Sequence, residues 1–228
     1  MRNIIIGDIH GCSQAFHALL KKVKLVGDDR LILLGDLFDR GPDSFEVFRT
    51  VRQLADTMEE DFVLLRGNHE DYLLNPKLTL MQRFVWERVG RGTTVASFKA
   101  HGDRMENAIP WLDQRCQMYY QGDGFQCVHA GLLVDPIEAN DPQTMIHDHN
   151  VVKKNRYAGP LTVTGHIALQ EPTYFAGDEK TTETLAYGEL LPLPETGVIC
   201  IDTGCGKGGR LTAMIIKERE YHLESVPE

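Results

Sequence analysis

The feature that most constrains this chain is a pattern repeated three times in its first 70 residues: a short apolar run that stops at glycine and a group able to bind a cation. Ile4 to Ile6 leads into Gly7-Asp8-Ile9-His10-Gly11, and Leu31 to Leu34 into Gly35-Asp36-Leu37-Phe38-Asp39-Arg40-Gly41. Phe62 to Leu65 leads through Arg66 into Gly67-Asn68-His69-Glu70. Short apolar runs bounded by turn signals read as buried strands. Between them, Phe16, Leu19, Leu20 and Val23 recur at helical spacing behind Ser13 as an N-cap. Phe45, Val47, Phe48, Val51 and Leu54 do the same in Ser44 to Met58, after Pro42 and Asp43. The resulting β-α-β-α-β order favours parallel strands whose carboxyl ends, with their polar loops, share one edge. One Gly-Asp after a strand is ordinary turn chemistry; three strand ends of the same character call for more than turns.

Downstream, Asp71 to Trp111 is helical by pattern, with breaks near Pro76, at Gly90 to Gly92 and before Pro110. Gln117 to Gln121, the turn Gly122-Asp123-Gly124 and Phe125 to His129 form an expected hairpin that ends in His129-Ala130-Gly131. Leu161 to Thr164 is a further strand, ending in Gly165-His166. Thr173 to Phe175, Val198 to Asp202, Leu211 to Lys217 and Tyr221 to Val226 read as an antiparallel half. No repeat and no Pro-, Gly- or Ser-rich linker divides the chain, so a single domain over 1–228 is expected, with a helical insertion at 71–111. The polar, proline-containing stretch 177–197 is either an inert surface loop or a flap beside the site.

A formal net charge of −9 argues against a nucleic-acid-binding face, which needs basic surface, and any phosphate must be met by local positive charge. The three isoleucines after Met1-Arg2-Asn3 are too short for a signal-peptide core and no run is long enough to span a membrane, so a soluble, cytoplasmic protein is expected. Five cysteines without paired spacing fit a reducing compartment and no thiolate zinc site. The strand ends together supply Asp8, His10, Asp36, Asn68, His129 and His166. Carboxylate, imidazole and amide oxygen suit divalent Mn, Fe or Zn, and a carboxylate in the middle of the set can bridge two ions.

With these motifs in this order over residues 4 to 209, the chain resembles the calcineurin-like metallophosphoesterases, and within them the phosphoprotein phosphatases. Ile201-Asp202-Thr203-Gly204 and Gly209-Arg210-Leu211-Thr212 are similar to the closing motif of the small bacterial and phage lambda-type serine/threonine phosphatases. The resemblance implies an α/β fold of two mixed β-sheets packed as a sandwich and flanked by helices. It also implies a pair of divalent ions, Mn2+ first with Fe or Zn as alternatives. Asp8, His10 and Asp36 would hold one ion, and Asp36, Asn68, His129 and His166 the other. His69 would be the general acid, Asp39 its orienting carboxylate, and Arg40 and Arg66 the grip on phosphate oxygens. Asp202 is assigned no catalytic part.

The implied activity is hydrolysis of phosphate monoesters, first of all phosphoserine or phosphothreonine in proteins, by a monomer. Hydrolysis of diadenosine tetraphosphate or other polyphosphates is the alternative. Relatives with that activity tend to lack the aspartate of Asp-Arg-Gly, so Asp39 ranks it second. Phosphodiesterases carry a further histidine where this chain has Ala168. The phosphate-binding arginine that phage-type relatives place after His-Ala-Gly is replaced here by His149, a pH-dependent cation, or supplied by Arg156, or both residues lie on the surface and the site works without them.

Overall fold

The apolar runs are strands because both of their faces are covered. In the computed structural model, which describes residues 1–228, alternate residues of β1 (Asn3–Ile6) enter different cores. Ile4 and Ile6 pack with Phe16 and Leu19 of α1 (Ser13–Val23), while Ile5 meets Ile32 of β2 (Arg30–Leu33) on the other face. Fully burying such a side chain stabilises by roughly 1.5–3 kcal/mol. α2 (Ser44–Met58) adds Val47, Phe48 and Val51 to the first core, and β3 (Phe62–Leu65) completes the opening βαβαβ unit.

A helical stretch follows: α3 (Asn68–Leu74), α4 (Leu80–Trp86), a π-turn over Glu87–Arg91, α5 (Gly92–Ala100) and α6 (Ile109–Arg115). Then come β4 (Cys116–Gln117), β5 (Tyr119–Gly122) and β6 (Phe125–Val128). α7 (Pro142–His147), α8 (Asn150–Lys154), β7 (Thr162–Thr164) and β8 (Thr173–Phe175) come next. The chain closes with β9 (Thr182–Thr184), β10 (Leu191–Pro192), β11 (Val198–Cys200), β12 (Arg210–Lys217) and β13 (Glu220–Pro227).

Two mixed sheets result, ordered β10-β13-β12-β1-β2-β3-β4 and β5-β6-β7-β11-β8-β9. Strands β1 to β4 are parallel in the first, and β6, β7 and β11 in the second. One core lies between the sheets, with Ile5, Ile32 and Val63 facing Cys127, Val163 and Ile199. A third, smaller core covers the outer face of the second sheet, where Val128, Val198 and Cys200 meet Met145 and Val151 of α7 and α8. This is the α/β sandwich flanked by helices that the motifs imply. No helix is long and apolar enough to cross a membrane.

Three details depart from the sequence reading. Ser13 is the first helical residue of α1, not its N-cap; its hydroxyl donates to Asp43 Oδ2 at 3.0 Å, tying the starts of α1 and α2 together. The closing strands are not one antiparallel half, because β12 and β13 join the first sheet beside β1 while β11 runs parallel to β7 in the second. Residues 177–197 carry β9 on the edge of one sheet and β10 on the edge of the other, with Leu185 and Leu193 buried in the core between the sheets. Their apolar residues are what turn an expected loop or flap into a strap across both sheets.

The π-turn has a packing reason. Gly90 sits at φ +117°, and a side chain there would run into the backbone nitrogen of Arg40. The helical stretch is thereby pressed directly onto the loop after β2.

Candidate active site

The polar loops after β1, β2, β3, β6 and β7 meet at one place. The N–H groups of Ile9 and His10 donate to the Asp36 carbonyl at 3.1 and 2.8 Å, and Gly165 N–H donates to the His129 carbonyl at 2.8 Å. At Gly165 any side chain would collide with Asp8 Oδ1. Glu70, to which the sequence reading assigned no part, accepts the N–H groups of Asp36, Leu37 and Gly67 at 2.7, 2.8 and 3.0 Å, so one buried carboxylate joins the β2 and β3 loops. His10, Asp36, Asp39, Arg40 and His166 all have φ between 47° and 70°. Non-glycine residues hold that conformation at about 1–3 kcal/mol each, and only where the surroundings dictate it.

His10 Nδ1 bonds the Phe38 carbonyl at 2.9 Å, which fixes the proton on that nitrogen and leaves Nε2 as a bare lone pair. That Nε2 is buried without a partner, 3.6 Å from Asp36 Oδ2 and 3.8 Å from Asp8 Oδ2. His129 repeats the arrangement: Nδ1 bonds the Leu34 carbonyl at 2.8 Å, and Nε2 faces Asn68 Oδ1 at 3.2 Å and Asp36 Oδ1 at 3.5 Å. His166 Nδ1 lies 2.9 Å from the same Asn68 oxygen. Unpartnered ring nitrogens and buried oxygen acceptors therefore crowd two adjacent points that share Asp36, an arrangement that bound cations would relieve.

The charges agree with that fit. Burial, with the His69 imidazole and Arg40 adding to it, holds His10 well below the usual imidazole range. Burial, with His129 next, lowers His166 to about 2, so both rings are neutral as ligands must be. At Asp36 burial opposes the charge, but the imidazoles of His129 and His69 and the bond from the His69 N–H outweigh it and keep the carboxyl ionised. Asp8 is pushed well above the carboxylate range by burial and by the charges of Asp202 and Asp36. Asp202 is itself buried, with Oδ1 bonded to Gly204 N–H at 2.9 Å and Oδ2 unpaired. Three buried carboxylates without enough countercharge fit divalent cations, with Asp8, His10 and Asp36 suited to one and Asp36, Asn68, His129 and His166 to another.

Beside this cluster His69 Nδ1 bonds Asp39 Oδ2 at 2.6 Å, and its Nε2 lies 3.8 Å from Asp36 Oδ2. Burial alone would discharge the His69 ring; Asp36 and the bond to Asp39 reverse this and raise its pKa above the ordinary value. Asp39 is held from the helical stretch: Trp86 Nε1–H donates to Oδ2 at 2.8 Å and Thr94 Oγ1–H to Oδ1 at 2.6 Å. The sequence reading missed both. A tryptophan entering a core usually finds an acceptor for its N–H, but nothing local identifies Asp39, 47 positions away, as that acceptor.

The expected cations divide. Arg40 is half-buried between His10 and the Gly206 turn, and its charge reaches Asp8, His10, His69 and Asp202. Arg66 is anchored by Asp71 at 2.7 Å. The exposed His149 ring lies 4.7 Å from that of His166, so the structure brings it to the rim of the cluster. Arg156 instead pairs with Glu179 at 3.2 Å on the exposed surface, drawn there by the 177–197 strap.

Two candidate cation sites sharing a carboxylate, an adjoining imidazole-carboxylate pair and nearby arginines fit a metal-dependent phosphoesterase. The chain belongs to that class by sequence as well: the family described as calcineurin-like phosphoesterase matches residues 1–201. It is 37% identical to a symmetrical bis(5'-nucleosyl)-tetraphosphatase of Erwinia tasmaniensis, over 98% of this chain and 97% of the relative. It is 30% identical to the asymmetrical bis(5'-nucleosyl)-tetraphosphatase PrpE of Anoxybacillus flavithermus, over 95% and 91%. Among solved structures, a putative diadenosine tetraphosphatase aligns over 99% of this chain and 93% of its own with TM-score 0.62 at 22% identity. A protein serine/threonine phosphatase of Saccharomyces cerevisiae aligns over 100% and 80% with TM-score 0.58 at 14% identity, a likeness of fold alone.

Proposed function

We propose that this protein hydrolyses dinucleoside polyphosphates, with diadenosine tetraphosphate as the representative substrate. The observation that carries the reading is the near end-to-end likeness to tetraphosphatases at up to 37% identity over such lengths. That likeness reverses the ranking drawn from Asp39, which had put protein phosphatase activity first. The change touches the substrate and not the chemistry, since both reactions break a P–O bond.

In this reading Asp8, His10 and Asp36 hold one divalent ion and Asp36, Asn68, His129 and His166 a second, with Mn2+ as the proposed metal. When bound, such ions supply Lewis acidity that activates water and neutralises charge on the phosphoryl group. Arg40 and Arg66 bind and orient phosphate oxygens, adding positive charge that the acidic chain otherwise lacks. His69 keeps a proton on Nε2 because Asp39 accepts the one on Nδ1, and it delivers the Nε2 proton to the departing oxygen. Asp39 fixes the ring, and Trp86 and Thr94 are the positioning residues that fix Asp39.

The deciding experiment compares turnover of diadenosine tetraphosphate, a phosphoserine peptide and a phosphotyrosine peptide by the Mn-loaded protein. The dinucleotide is expected to lead in kcat/KM by more than about tenfold, or 1.4 kcal/mol in transition-state stabilisation. A faster phosphoserine peptide would restore the protein phosphatase reading.

Two smaller predictions concern the supporting residues. Trp86→Phe removes one hydrogen bond to a charged group, worth about 1.5–3 kcal/mol. It is expected to lower kcat about tenfold with metal content unchanged; unaltered kcat would show that Asp39 does not need the indole. His149→Arg is expected to lower KM for p-nitrophenyl phosphate at pH 8, because a guanidinium stays charged and can grip phosphate oxygens in pairs. Arg156→Ala should move that KM by less than about twofold, under 1 kcal/mol of binding, and a larger rise would mean that Arg156 leaves Glu179 for the substrate.

A further inference from the structure

Adjoining the acid dyad is a recess of about 310 Å3 that none of the proposed catalytic roles requires. Tyr72 and Trp86 line one part of it, Leu78 and Met105 another, and Asn75, Arg83 and Glu106 are among its polar groups. The two aromatic rings lie 6.0 Å apart at 30°. Each also touches the dyad: the Tyr72 ring is 5.8 Å from that of His69, and the Trp86 N–H ends on Asp39. One layer of side chains thus separates the recess from the group that protonates the leaving oxygen. Arg91 lies over the Trp86 ring at 5.1 Å and is neutralised by Glu87 at 2.7 Å.

The chemistry of this recess is that of a heteroaromatic base. Its volume is at the lower end of small-molecule pockets, which run from roughly 300 to 1,000 Å3. Aliphatic surface from Leu78 and Met105, with the little that buried Tyr72 and Trp86 leave exposed, suits a flat ring. Donors on Asn75 and Arg83 and an acceptor on Glu106 suit the edge of a purine, which carries both ring nitrogens and an exocyclic amine. A phosphate would be poorly served, because the glutamates offset the arginines.

We propose that the recess takes the base of the nucleoside on the departing side of the substrate. This rests on the dinucleotide reading and on His69 as the acid, because the leaving nucleotide must lie on the side of the group that protonates it. The remaining phosphates then stay with Arg40, Arg66 and the metal ligands. Substrate selection would arise from the helical stretch and not from the ligand loops.

Two measurements on the full-length, Mn-loaded protein test the proposal. The first titrates adenosine, which has no phosphate to draw it to the metal ligands, and follows the indole N–H resonances of the two tryptophans, assigned with Trp111→Phe. A saturable shift of the Trp86 signal with Trp111 unmoved is expected; no shift, or equal shifts of both, overturns the proposal. The second fills the recess with Leu78→Trp and takes the ratio of kcat/KM for diadenosine tetraphosphate to that for p-nitrophenyl phosphate. The ratio should fall about tenfold through KM for the dinucleotide, whereas an unchanged ratio in a protein that turns over both substrates overturns the base site and leaves the proposed function standing. If the wild-type protein fails to hydrolyse the dinucleotide while adenosine shifts Trp86 alone, the function falls and the base site remains.

Discussion

Asp36→Asn is expected to abolish turnover and to reduce the bound metal from two equivalents to one or none. Asp36 faces His10 with one oxygen and His129 with the other, so it is the only side chain shared by both proposed ion sites. Its negative charge is also what the surrounding imidazoles stabilise. Metal assistance is worth several kcal/mol, so the loss in kcat should be on the order of 10³-fold or more. The substitution is well suited to separate charge from fold. Asparagine keeps an oxygen where Asp36 Oδ1 accepts the His69 N–H at 3.0 Å, and the Asp36 N–H still reaches Glu70. Metal analysis of the purified variant beside its thermal transition provides the check. Two full equivalents of metal with normal turnover would rule out a shared carboxylate.

His69→Asn is expected to remove turnover while leaving the metals in place, because the ring acts on the leaving group. General acid catalysis contributes typically about 10²–10⁴ in rate, and the loss should follow the basicity of the leaving oxygen. An alkyl phosphate should suffer most and p-nitrophenyl phosphate least, since nitrophenolate departs with little need of a proton. Diadenosine tetraphosphate should lie nearer the second, because a nucleotide phosphate is itself a weakly basic leaving group. The pKa direction adds a pH signature. In the metal-free protein Asp36 and the bond to Asp39 hold the His69 proton above the ordinary imidazole range, so the ring, followed by NMR without metal, should stay protonated above pH about 6.5 and lose its proton only as pH rises through the raised value. Equal losses on all three substrates would remove His69 from the acid role.

Much of this architecture was legible because it is local. A strand buried on both faces must be apolar throughout, and Ile4 to Ile6, Leu31 to Leu34 and Phe62 to Leu65 are. A loop that gathers cations must put its donors next to the strand end, so Asp8, His10, Asp36 and Asn68 stand within a few residues of those runs. Periodicity located α1 and α2 for the same reason: each helix presents one apolar stripe to one sheet face. The substrate was less legible, because the residues that handle a phosphoryl group do not depend on what the phosphate is attached to.

What the sequence determined by itself was the set of strand ends, the candidate metal-binding side chains they carry and the parallel order that gathers them, since hydrophobic period and turn chemistry act over a few residues. Tertiary structure alone decided how that set is supported. Trp86 and Thr94 reach Asp39 from 47 and 55 positions away. Arg156 is diverted to Glu179 by a strap that apolar anchors, Leu185 and Leu193, fasten between the sheets. The recess beside His69 is lined by residues from Tyr72 to Ile109, brought together where the helical stretch packs on itself. Such contacts depend on which surfaces meet when the layers pack, and no short-range pattern in the chain encodes that meeting.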